Sequence, residues 1–260
     1  MKNFKAGGKD FLKFTNLSQA GVFHFTSTRK GWGHDMKTRF TGDQPGLYQQ
    51  YRKELASALQ ISPANFIFPR QVHSDHIALI DSPAEFNEIQ KTDAIITNQA
   101  GVCICIQTAD CVPLLLYDPH HRVVAAVHAG WRGTVNKIIA KTIHQMQLHF
   151  DSEPDELIAG IGPSIHLHAY EVGQDVISAV RDAFPDHREL LKPSVGGEKA
   201  FFDLWNANRV LMIESGMKEE NIEIMGICSY SHEGLFYSYR REGADTGRMV
   251  SGIMLRDGIR

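Results

Sequence analysis

Apolar residues along this chain fall into short runs separated by polar turns, and the densest runs lie between residues 93 and 133. Three of them, Cys103–Gln107, Pro113–Tyr117 and Arg122–His128, are rich in Ile, Leu or Val and are bounded by turn residues. Runs with these properties are typical of buried strands. A polar Thr-Ala-Asp-Cys turn separates the first two, and a Gly-rich exit follows His128. The pattern therefore predicts that reactive side chains are held at strand ends.

The remaining pattern predicts further strands and helices on both sides of this stretch. Strands are predicted at Gly21–Arg29, at Asn65–Ile80 (two short strands), and at Asp93–Thr97, Glu156–Ile161 and Ile222–Ile227. Helices are predicted from apolar residues at every third or fourth position, at Leu47–Gln60, Val135–Phe150, Val172–Val180 and Phe202–Ser215. Residues 1–20 are polar and contain glycine, which indicates an irregular N-terminal arm. Because the sequence contains no repeats, low-complexity segments or linkers, we predict a single domain over residues 1–260.

Composition and charge narrow the classes of partner. The 260 residues are 43% hydrophobic and 22% charged, which is typical of a globular protein with a full core. The net charge of -3 shows no excess of basic residues that would attract nucleic acid or an anionic membrane. We therefore expect a small-molecule partner. The N-terminus lacks the apolar core of a signal peptide, and no run approaches the roughly 18 apolar residues of a membrane-spanning helix. We therefore expect a cytoplasmic protein.

Three of the four cysteines lie in one segment, which in a non-secreted chain indicates thiols or metal ligands rather than disulfides. Cys103 and Cys105 share one face of a predicted strand, where free cysteines behave as small core residues. Cys111 differs, because it follows Asp110 in a turn where the backbone can aim a thiol into a cleft. A hairpin-like pair of strands would bring it close to His128. On the pattern alone, the two side chains fit a nucleophile and its base as well as they fit a metal site.

A third donor is available in His73, which lies in the polar segment between two short predicted strands. One cysteine and two histidines leave a tetrahedral zinc ion with an open fourth position, which is typical of a catalytic site. The spacing fits no compact zinc-finger template, so the spacing alone does not establish the site. Asp110, next to the thiol, is a candidate proton acceptor, or a residue that orients a metal ligand by hydrogen bonding to it. Aspartate is also common in turns, which explains its presence there equally well.

Arginines next to predicted turns are candidate anion ligands. Arg29 lies where a strand passes into a flexible turn, and its planar fork can grip a phosphate or a carboxylate. Arg132 lies in the turn that enters a predicted helix, and anions bind favourably at helix N-termini. Arg248 follows Ser231–Gly247, where aromatic residues and arginines together can stack a flat ring and hold an anion. An aromatic core strand with a solvated basic rim explains that last segment as well.

Six segments resemble the YfiH/YlmD family, long labelled polyphenol oxidase or laccase domain. They are RQVH (Arg70–His73), TADCVPLLLYD (Thr108–Asp118), VAAVHAGWRGT (Val124–Thr134), IGPSI (Ile161–Ile165), YEV (Tyr170–Val172) and YSYRREGADTGRM (Tyr237–Met249). They occur in the family's order, within a match over about residues 20–257. After the family's N-terminal arginine, which corresponds to Arg29, a Gly-Gly pair is common, whereas this chain reads Lys-Gly-Trp-Gly. The resemblance therefore covers Arg29 and not the loop that follows it.

The resemblance implies a fold and an activity. The fold is α/β, a layered sandwich of mixed β-sheets flanked by helices, akin to the cytotoxic-necrotizing-factor-like cysteine hydrolases. The activity is zinc-dependent phosphorolysis of adenosine, inosine, guanosine and methylthioadenosine, together with deamination of adenosine. The partners are then a nucleoside and phosphate, and we expect a monomer.

The resemblance also implies roles for individual residues. It makes His73, Cys111 and His128 the zinc ligands. These three residues, together with Asp110 from the residue pattern, are our candidates for the catalytic centre. Our mechanistic hypothesis adds phosphate or substrate ligands, Arg29, Arg132 and Arg248. It also adds aromatic residues near Phe236 or Trp131 that would face the base.

Three alternatives share these residues. A copper-dependent polyphenol oxidase needs a trinuclear cluster with several His-x-His pairs, and only His166-Leu167-His168 has that form. A metal-free cysteine hydrolase or amidase would use Cys111 as nucleophile and His128 as base, and members of the family have been linked to editing of peptidoglycan precursors. A non-catalytic metal-binding module would use the same donors to order the fold.

Overall fold

The computed structural model describes residues 2–32, 38–42, 45–81 and 88–256. Its strands are β1 (Lys2–Ala6), β2 (Lys9–Lys13), β3 (Phe23–Ser27), β4 (Phe66–Arg70), β5 (Ile77–Ile80), β6 (Glu88–Gln90), β7 (Ala94–Thr97), β8 (Cys103–Thr108), β9 (Val112–Asp118), β10 (Val123–Ala129), β11 (Ile158–Ile161), β12 (Glu171–Val172), β13 (Leu191–Pro193), β14 (Ala200–Phe202), β15 (Ile222–Ile224) and β16 (Met249–Met254). Its helices are α1 (Thr15–Gln19), α2 (Pro45–Leu59), α3 (Trp131–Val135), α4 (Ile138–Phe150), α5 (Gln174–Ala183), α6 (His187–Leu190), α7 (Leu204–Glu214) and α8 (Tyr239–Glu242). Within these ranges, no helix is both long enough and apolar enough to cross a membrane.

Two large mixed sheets and one small sheet contain the strands. The first has the order β1-β2-β3-β16-β8-β4-β6, with β4 parallel to both β8 and β6. The second has the order β15-β11-β9-β10-β7-β5, with β11 parallel to β15 and β5 parallel to β7. The third is the antiparallel set β12-β14-β13.

The two large sheets pack against each other, and helices cover their outer faces. Ile104 of the first sheet and Leu115 of the second share the core cluster between the sheets. The alternate residues Cys103 and Cys105 lie on the other face of the first sheet and pack in one cluster with Leu55 of α2. Helices α4, α5 and α7 pack on the outer face of the second sheet. The predicted layered α/β sandwich is therefore confirmed, as is the core position of these two cysteines.

The turn that carries Cys111 connects the two large sheets. Strand β8 belongs to the first sheet and β9 to the second, so residues 109–111 carry the chain from one sheet to the other. Asp110 in this crossover is buried and has a positive φ of 89°. The thiol of Cys111 is therefore delivered at the first position before β9.

The N-terminal segment is ordered rather than an irregular arm, which corrects the sequence prediction. Strands β1 and β2 pair as a hairpin, β2 pairs with β3, and α1 follows. Gly7 and Gly8 have φ values of 53° and 75°, which a two-residue hairpin turn of the primed type requires. The Gly7-Gly8 pair between two alternating segments could have predicted this hairpin. The polar composition of the segment instead led us to predict an irregular arm.

The helix predicted at Val135–Phe150 begins at Ile138, because Lys137 adopts a left-handed conformation (φ 60°, ψ 38°) that separates α4 from the short helix α3 before it. For Ser231–Gly247 the sequence left an aromatic core strand open as an alternative, and the structure has a short helix there, α8. The helix predicted at Phe202–Ser215 is α7, which begins at Leu204 because the Asp203 side chain before it accepts a hydrogen bond from the Asn206 N–H at 3.0 Å.

Strand β16 lies at the centre of the first sheet and was not predicted. Its sequence is interrupted by Ser251 and Gly252, which obscure the apolar run. The Ser251 hydroxyl is hydrogen-bonded to the Thr26 hydroxyl at 2.9 Å, so the polar group is satisfied inside the sheet. A methyl group on Gly252 would lie 2.6 Å from the Phe25 ring, so the glycine admits that ring. A methyl group there would also lie 2.8 Å from Cys105 Sγ, so both residues are explained only by their partners in β3 and β8.

Candidate active site

The hairpin of β9 and β10 brings Cys111 and His128 together. Its antiparallel register pairs His128 with Pro113 and Ala129 with Val112, so Gly130 follows on the strand opposite Cys111. A methyl group on Gly130 would lie 3.0 Å from Cys111 Sγ. The glycine therefore leaves the space that the thiol occupies.

His73 reaches the same point from the loop after β4. The strand ends at Arg70, so strand alternation does not place His73, whose backbone has a left-handed φ of 59°. Its ring centre lies 4.9 Å from that of His128, with the two planes at 76°. The candidate ligand atoms of His73, Cys111 and His128 all lie within 4.8 Å of one another. The structure thus brings together the three residues singled out from the sequence.

A buried carboxylate that the sequence did not single out, Asp93, is bonded to this group. Its Oδ1 accepts a hydrogen bond from His128 Nδ1 at 2.8 Å and one from the His73 backbone N–H at 3.0 Å. The register of β7 on β10 pairs Ala94 with Val127, which places Asp93 beside His128. The sequence contained one signal for this role, because Asp93 directly precedes the apolar strand β7. A carboxylate at the end of a buried strand is itself buried and needs hydrogen-bond partners.

The electrostatics of the group favour a charged thiolate and imidazolium in the protein without a metal. Burial raises the pKa of the Cys111 thiol, but the imidazoles of His128 and His73 outweigh it and lower this pKa to about 6. Burial lowers the pKa of His128, but the Cys111 thiolate and Asp93 outweigh it and raise this pKa to about 9. The thiol is therefore ready to act as a ligand or as a nucleophile near neutral pH.

A cleft of about 610 Å³ contains the group. Its walls carry three arginines and three aromatic rings, namely Arg132, Arg240, Arg248, Trp131, Tyr170 and Tyr239. The guanidinium of Arg132 lies 4.3 Å from the centre of the Trp131 ring, and that of Arg240 lies 5.3 Å from the Tyr170 ring. The cleft therefore offers positive charge and flat apolar surfaces to one ligand.

Asp110 lines the cleft, but its carboxylate is bonded to another part of the chain. Oδ1 accepts a hydrogen bond from Ser229 Oγ at 2.6 Å, and Oδ2 accepts from Ser238 Oγ at 3.0 Å and from the Arg240 N–H at 2.7 Å. Asp110 therefore ties the start of α8 to the crossover turn. The carboxylate behind a candidate ligand is Asp93 and not Asp110, because the antiparallel register brings Asp93 to His128.

Two other residues predicted to face the ligand, Arg29 and Phe236, do not line the cleft. The Arg29 guanidinium is paired with the Glu242 carboxylate at 2.8 Å and lies 4.9 Å from the centre of the Tyr237 ring. Phe236 is fully buried in the core between the large sheets. Trp131, Arg132 and Arg248 do line the cleft. The loop after Arg29 continues into residues 33–37, which lie outside the described residues.

The donor set fits one metal ion. A thiolate and two imidazoles are ligands that zinc takes readily. The bond from His128 Nδ1 to Asp93 leaves Nε2 of that ring for a metal, which is how metal-binding histidines are usually held. In the part of the chain that the structure describes, no second group of three His, Cys, Asp or Glu donors is equally close. His166 and His168 lie outside the group.

A family model described as multi-copper polyphenol oxidoreductase laccase matches residues 27–256 of the chain. The chain belongs to this laccase family. The match confirms the resemblance that the six sequence segments carry.

Named relatives are similar to this chain over most of their length. A purine nucleoside phosphorylase of Bacteroides thetaiotaomicron is 35% identical over 95% of this chain and 97% of its own. Adenosine deaminase RL5, from an unknown prokaryotic organism, is 34% identical over 82% of this chain and 84% of its own. The crystal structure of YlmD from Geobacillus stearothermophilus superposes with a TM-score of 0.87 at 25% identity, over 96% of this chain and 97% of that one.

Proposed function

We propose that this chain is a zinc-dependent purine nucleoside phosphorylase that also deaminates adenosine. The observation that carries the proposal is the group of His73, Cys111 and His128 in one cleft with three arginines and three aromatic rings. Relatives named as a purine nucleoside phosphorylase and an adenosine deaminase support it. The partners are then a nucleoside and inorganic phosphate.

Phosphorolysis joins a phosphate oxygen to C1′ of the ribose while the bond from C1′ to the purine nitrogen breaks. The purine leaves with the bonding electron pair and takes up a proton. In the proposal, Arg132 and Arg248 hold the phosphate through charge-assisted hydrogen bonds, and Trp131 and Tyr239 present flat surfaces to the purine. Arg29 is not included, because its guanidinium is paired with Glu242 away from the cleft.

His73, Cys111 and His128 would hold the zinc ion. A zinc ion with three protein ligands supplies Lewis acidity at its open position, which polarises an oxygen or acidifies a water molecule. Deamination replaces the amino group at C6 of adenine with oxygen from water and releases ammonia, so it requires an activated water. The chain itself binds the purine, holds His128 through Asp93 and keeps the reacting groups in one cleft.

Zinc is preferred to copper because of the number of donors. Oxygen reduction by a multicopper oxidase requires several histidine pairs around a trinuclear cluster. Among the described residues, only one group of three close donors is present, and it contains a single cysteine and two histidines. This set matches a catalytic zinc site, whatever the traditional name of the family.

A nucleoside panel tests the proposal. The purified protein is incubated with adenosine, inosine, guanosine and methylthioadenosine, with and without phosphate, and the products are separated by chromatography. We expect free base and the sugar 1-phosphate only when phosphate is present, and inosine from adenosine with or without phosphate. Absence of both reactions in zinc-loaded protein would contradict the proposal.

A second candidate is a cysteine hydrolase or amidase, which one observation favours. Asp93, His128 and Cys111 form a connected series in which the carboxylate orients the imidazole beside the thiol. Peptidoglycan precursors and other amides are the substrates to test. A covalent adduct on Cys111, isolated from metal-free protein and identified by mass spectrometry, would support this candidate, and stoichiometric zinc in active protein would count against it.

The cytoplasmic location, the monomeric state and the single domain over residues 1–260 stay predictions. Size-exclusion chromatography with light scattering tests the second of these. A mass near 29.1 kDa is expected for the monomer, and a multiple of that mass would contradict it.

A further inference from the structure

Asp93 is bonded to two of the three proposed metal ligands at once. It is fully buried, and its Oδ1 accepts from the His128 imidazole and from the His73 backbone N–H, at 2.8 and 3.0 Å. Its Oδ2 accepts from the Val72 N–H at 3.2 Å and from both the N–H and the hydroxyl of Ser74 at 2.7 Å. Five donors therefore converge on one carboxylate.

These bonds determine the shape of the loop that carries His73. Three successive backbone N–H groups, from Val72 to Ser74, point at the same anion, which is the geometry of a backbone anion nest. His73 is exposed and has a left-handed φ of 59°, a conformation that costs free energy for a residue with a side chain. The hydrogen bonds to the carboxylate thus offset the cost of the left-handed conformation at His73. Without them, we expect the loop to adopt another conformation.

The backbone of Asp93 makes the same connection. Its carbonyl accepts a hydrogen bond from the His128 N–H at 2.8 Å, and its own N–H donates to the His76 carbonyl at 3.0 Å. Strand β10 and the His73 loop are therefore joined through this one residue. Cys111, the third proposed ligand, reaches the site on its own strand, β9, paired with β10.

We propose that Asp93 is the positioning residue that assembles the metal site, holding His128 through Nδ1 and His73 through the backbone. This inference rests on the metal ion of the proposed function and not on the reaction. An amide has one acceptor atom where the carboxylate has two, and its oxygen satisfies more donors in place of Oδ2, which accepts three hydrogen bonds, than in place of Oδ1, which accepts two. The amide nitrogen, which is a donor, then faces His128 and the His73 N–H. Loss of the carboxylate should therefore release both histidines together.

Asp118 provides a matched control for substitution of Asp93. It is also fully buried and also accepts backbone hydrogen bonds, from His120 at 2.8 Å and His121 at 3.0 Å. It lies at the opposite end of β9 from Cys111. Asp93→Asn and Asp118→Asn both remove a buried charge, and only the first touches the proposed ligands.

The experiment measures the zinc dissociation constant of the full chain by competition with a coloured chelator. Outer partners of metal-binding histidines contribute about 10- to 100-fold in affinity, so Asp93→Asn should weaken zinc binding by that factor. Asp118→Asn should keep the wild-type dissociation constant. A second measurement, NMR of the zinc-loaded protein, should show a slowly exchanging Nδ1 proton on His128 that is lost in Asp93→Asn, which a general loss of stability would not produce.

Ser74→Ala keeps the test decisive if Asp93→Asn does not fold. It removes one of five donors to the carboxylate, and zinc binding should weaken about threefold. Wild-type zinc affinity in folded Asp93→Asn, or in Ser74→Ala if that is the variant available, would overturn the inference. Equal losses in Asp93→Asn and Asp118→Asn would overturn it as well. Absence of zinc binding by the wild-type protein would instead contradict the proposed function on which the inference rests.

Discussion

Gly130 controls how closely the candidate ligands approach one another. A methyl group there would lie 3.0 Å from Cys111 Sγ and 3.2 Å from His73 Cδ2, both closer than ordinary contact. The φ of −74° is open to any residue, so the effect of a side chain comes from these contacts alone. Gly130→Ala should displace the exposed His73 and weaken zinc binding about tenfold, as measured by calorimetric titration, while the protein stays folded.

Gly46→Ala is the control for this substitution. Gly46 lies in the first turn of α2, and a methyl group there meets no atom within 4 Å. We expect unchanged zinc affinity and a slightly higher free energy of unfolding, because Ala favours a helix more than Gly does. Wild-type zinc affinity in Gly130→Ala would show that space at this glycine does not limit the site.

The lowered pKa of Cys111 predicts the pH dependence of its alkylation in metal-free protein. Only the thiolate reacts, so the rate with iodoacetamide should rise as the pH increases through about 6 and level off above it. An ordinary cysteine would give its midpoint near pH 9. Mass spectrometry of quenched samples measures the rate at this residue.

His128→Asn tests the cause of that shift. The variant removes the imidazolium beside the thiolate, so the midpoint for Cys111 should move upward, because burial raises the pKa when no positive charge opposes it. A midpoint that stays near pH 6 in this variant would assign the shift to another group.

At the scale of elements, the sequence was sufficient for the β9–β10 hairpin and not for its neighbour β7. Cys111 and His128 could be expected together because hairpin strands pair locally. Asp93 could not, because its contact with His128 depends on the pairing of β7 with β10. The conformation of the His73 loop depends in turn on Asp93. Two candidate ligands, Cys111 and His128, could thus be placed from neighbouring segments of the sequence. The carboxylate that holds His128 could not, because it directly precedes a strand outside the hairpin.

The break between α3 and α4 yields a prediction about stability. Lys137 is exposed and left-handed, and glycine adopts that conformation without a steric penalty. Lys137→Gly removes a left-handed penalty of roughly 1–2 kcal/mol, which the greater backbone entropy of glycine offsets by about 0.5–1 kcal/mol, so the free energy of unfolding in urea should rise by up to about 1 kcal/mol. Ala140→Gly, inside α4, should lower it by about 1 kcal/mol. A loss of stability in both variants would contradict the assigned conformation of Lys137.

At the scale of the whole molecule, the layered α/β sandwich followed from family resemblance, and its sheet order did not follow from the pattern. Strand β16 joins β3 to β8 from the far end of the chain, and its Ser251 and Gly252 are explained only by those neighbours. Cys103–Gln107 and Pro113–Tyr117 look like consecutive strands of one sheet, yet they lie in different sheets. Because the two strands lie in different sheets, residues 109–111 cross from one sheet to the other. This crossover places Cys111 at the cleft.

The central claim is that His73, Cys111 and His128 hold a zinc ion on which nucleoside turnover depends. The most direct measurement removes metal with a chelator, assays inosine phosphorolysis, and then restores zinc in counted equivalents. We expect activity to be lost on removal of the metal and to return at one zinc per chain. Cys111→Ala should neither bind zinc nor recover activity, whereas Cys228→Ala, which changes a buried cysteine outside the cleft, should do both. Full turnover by metal-free protein would contradict the claim.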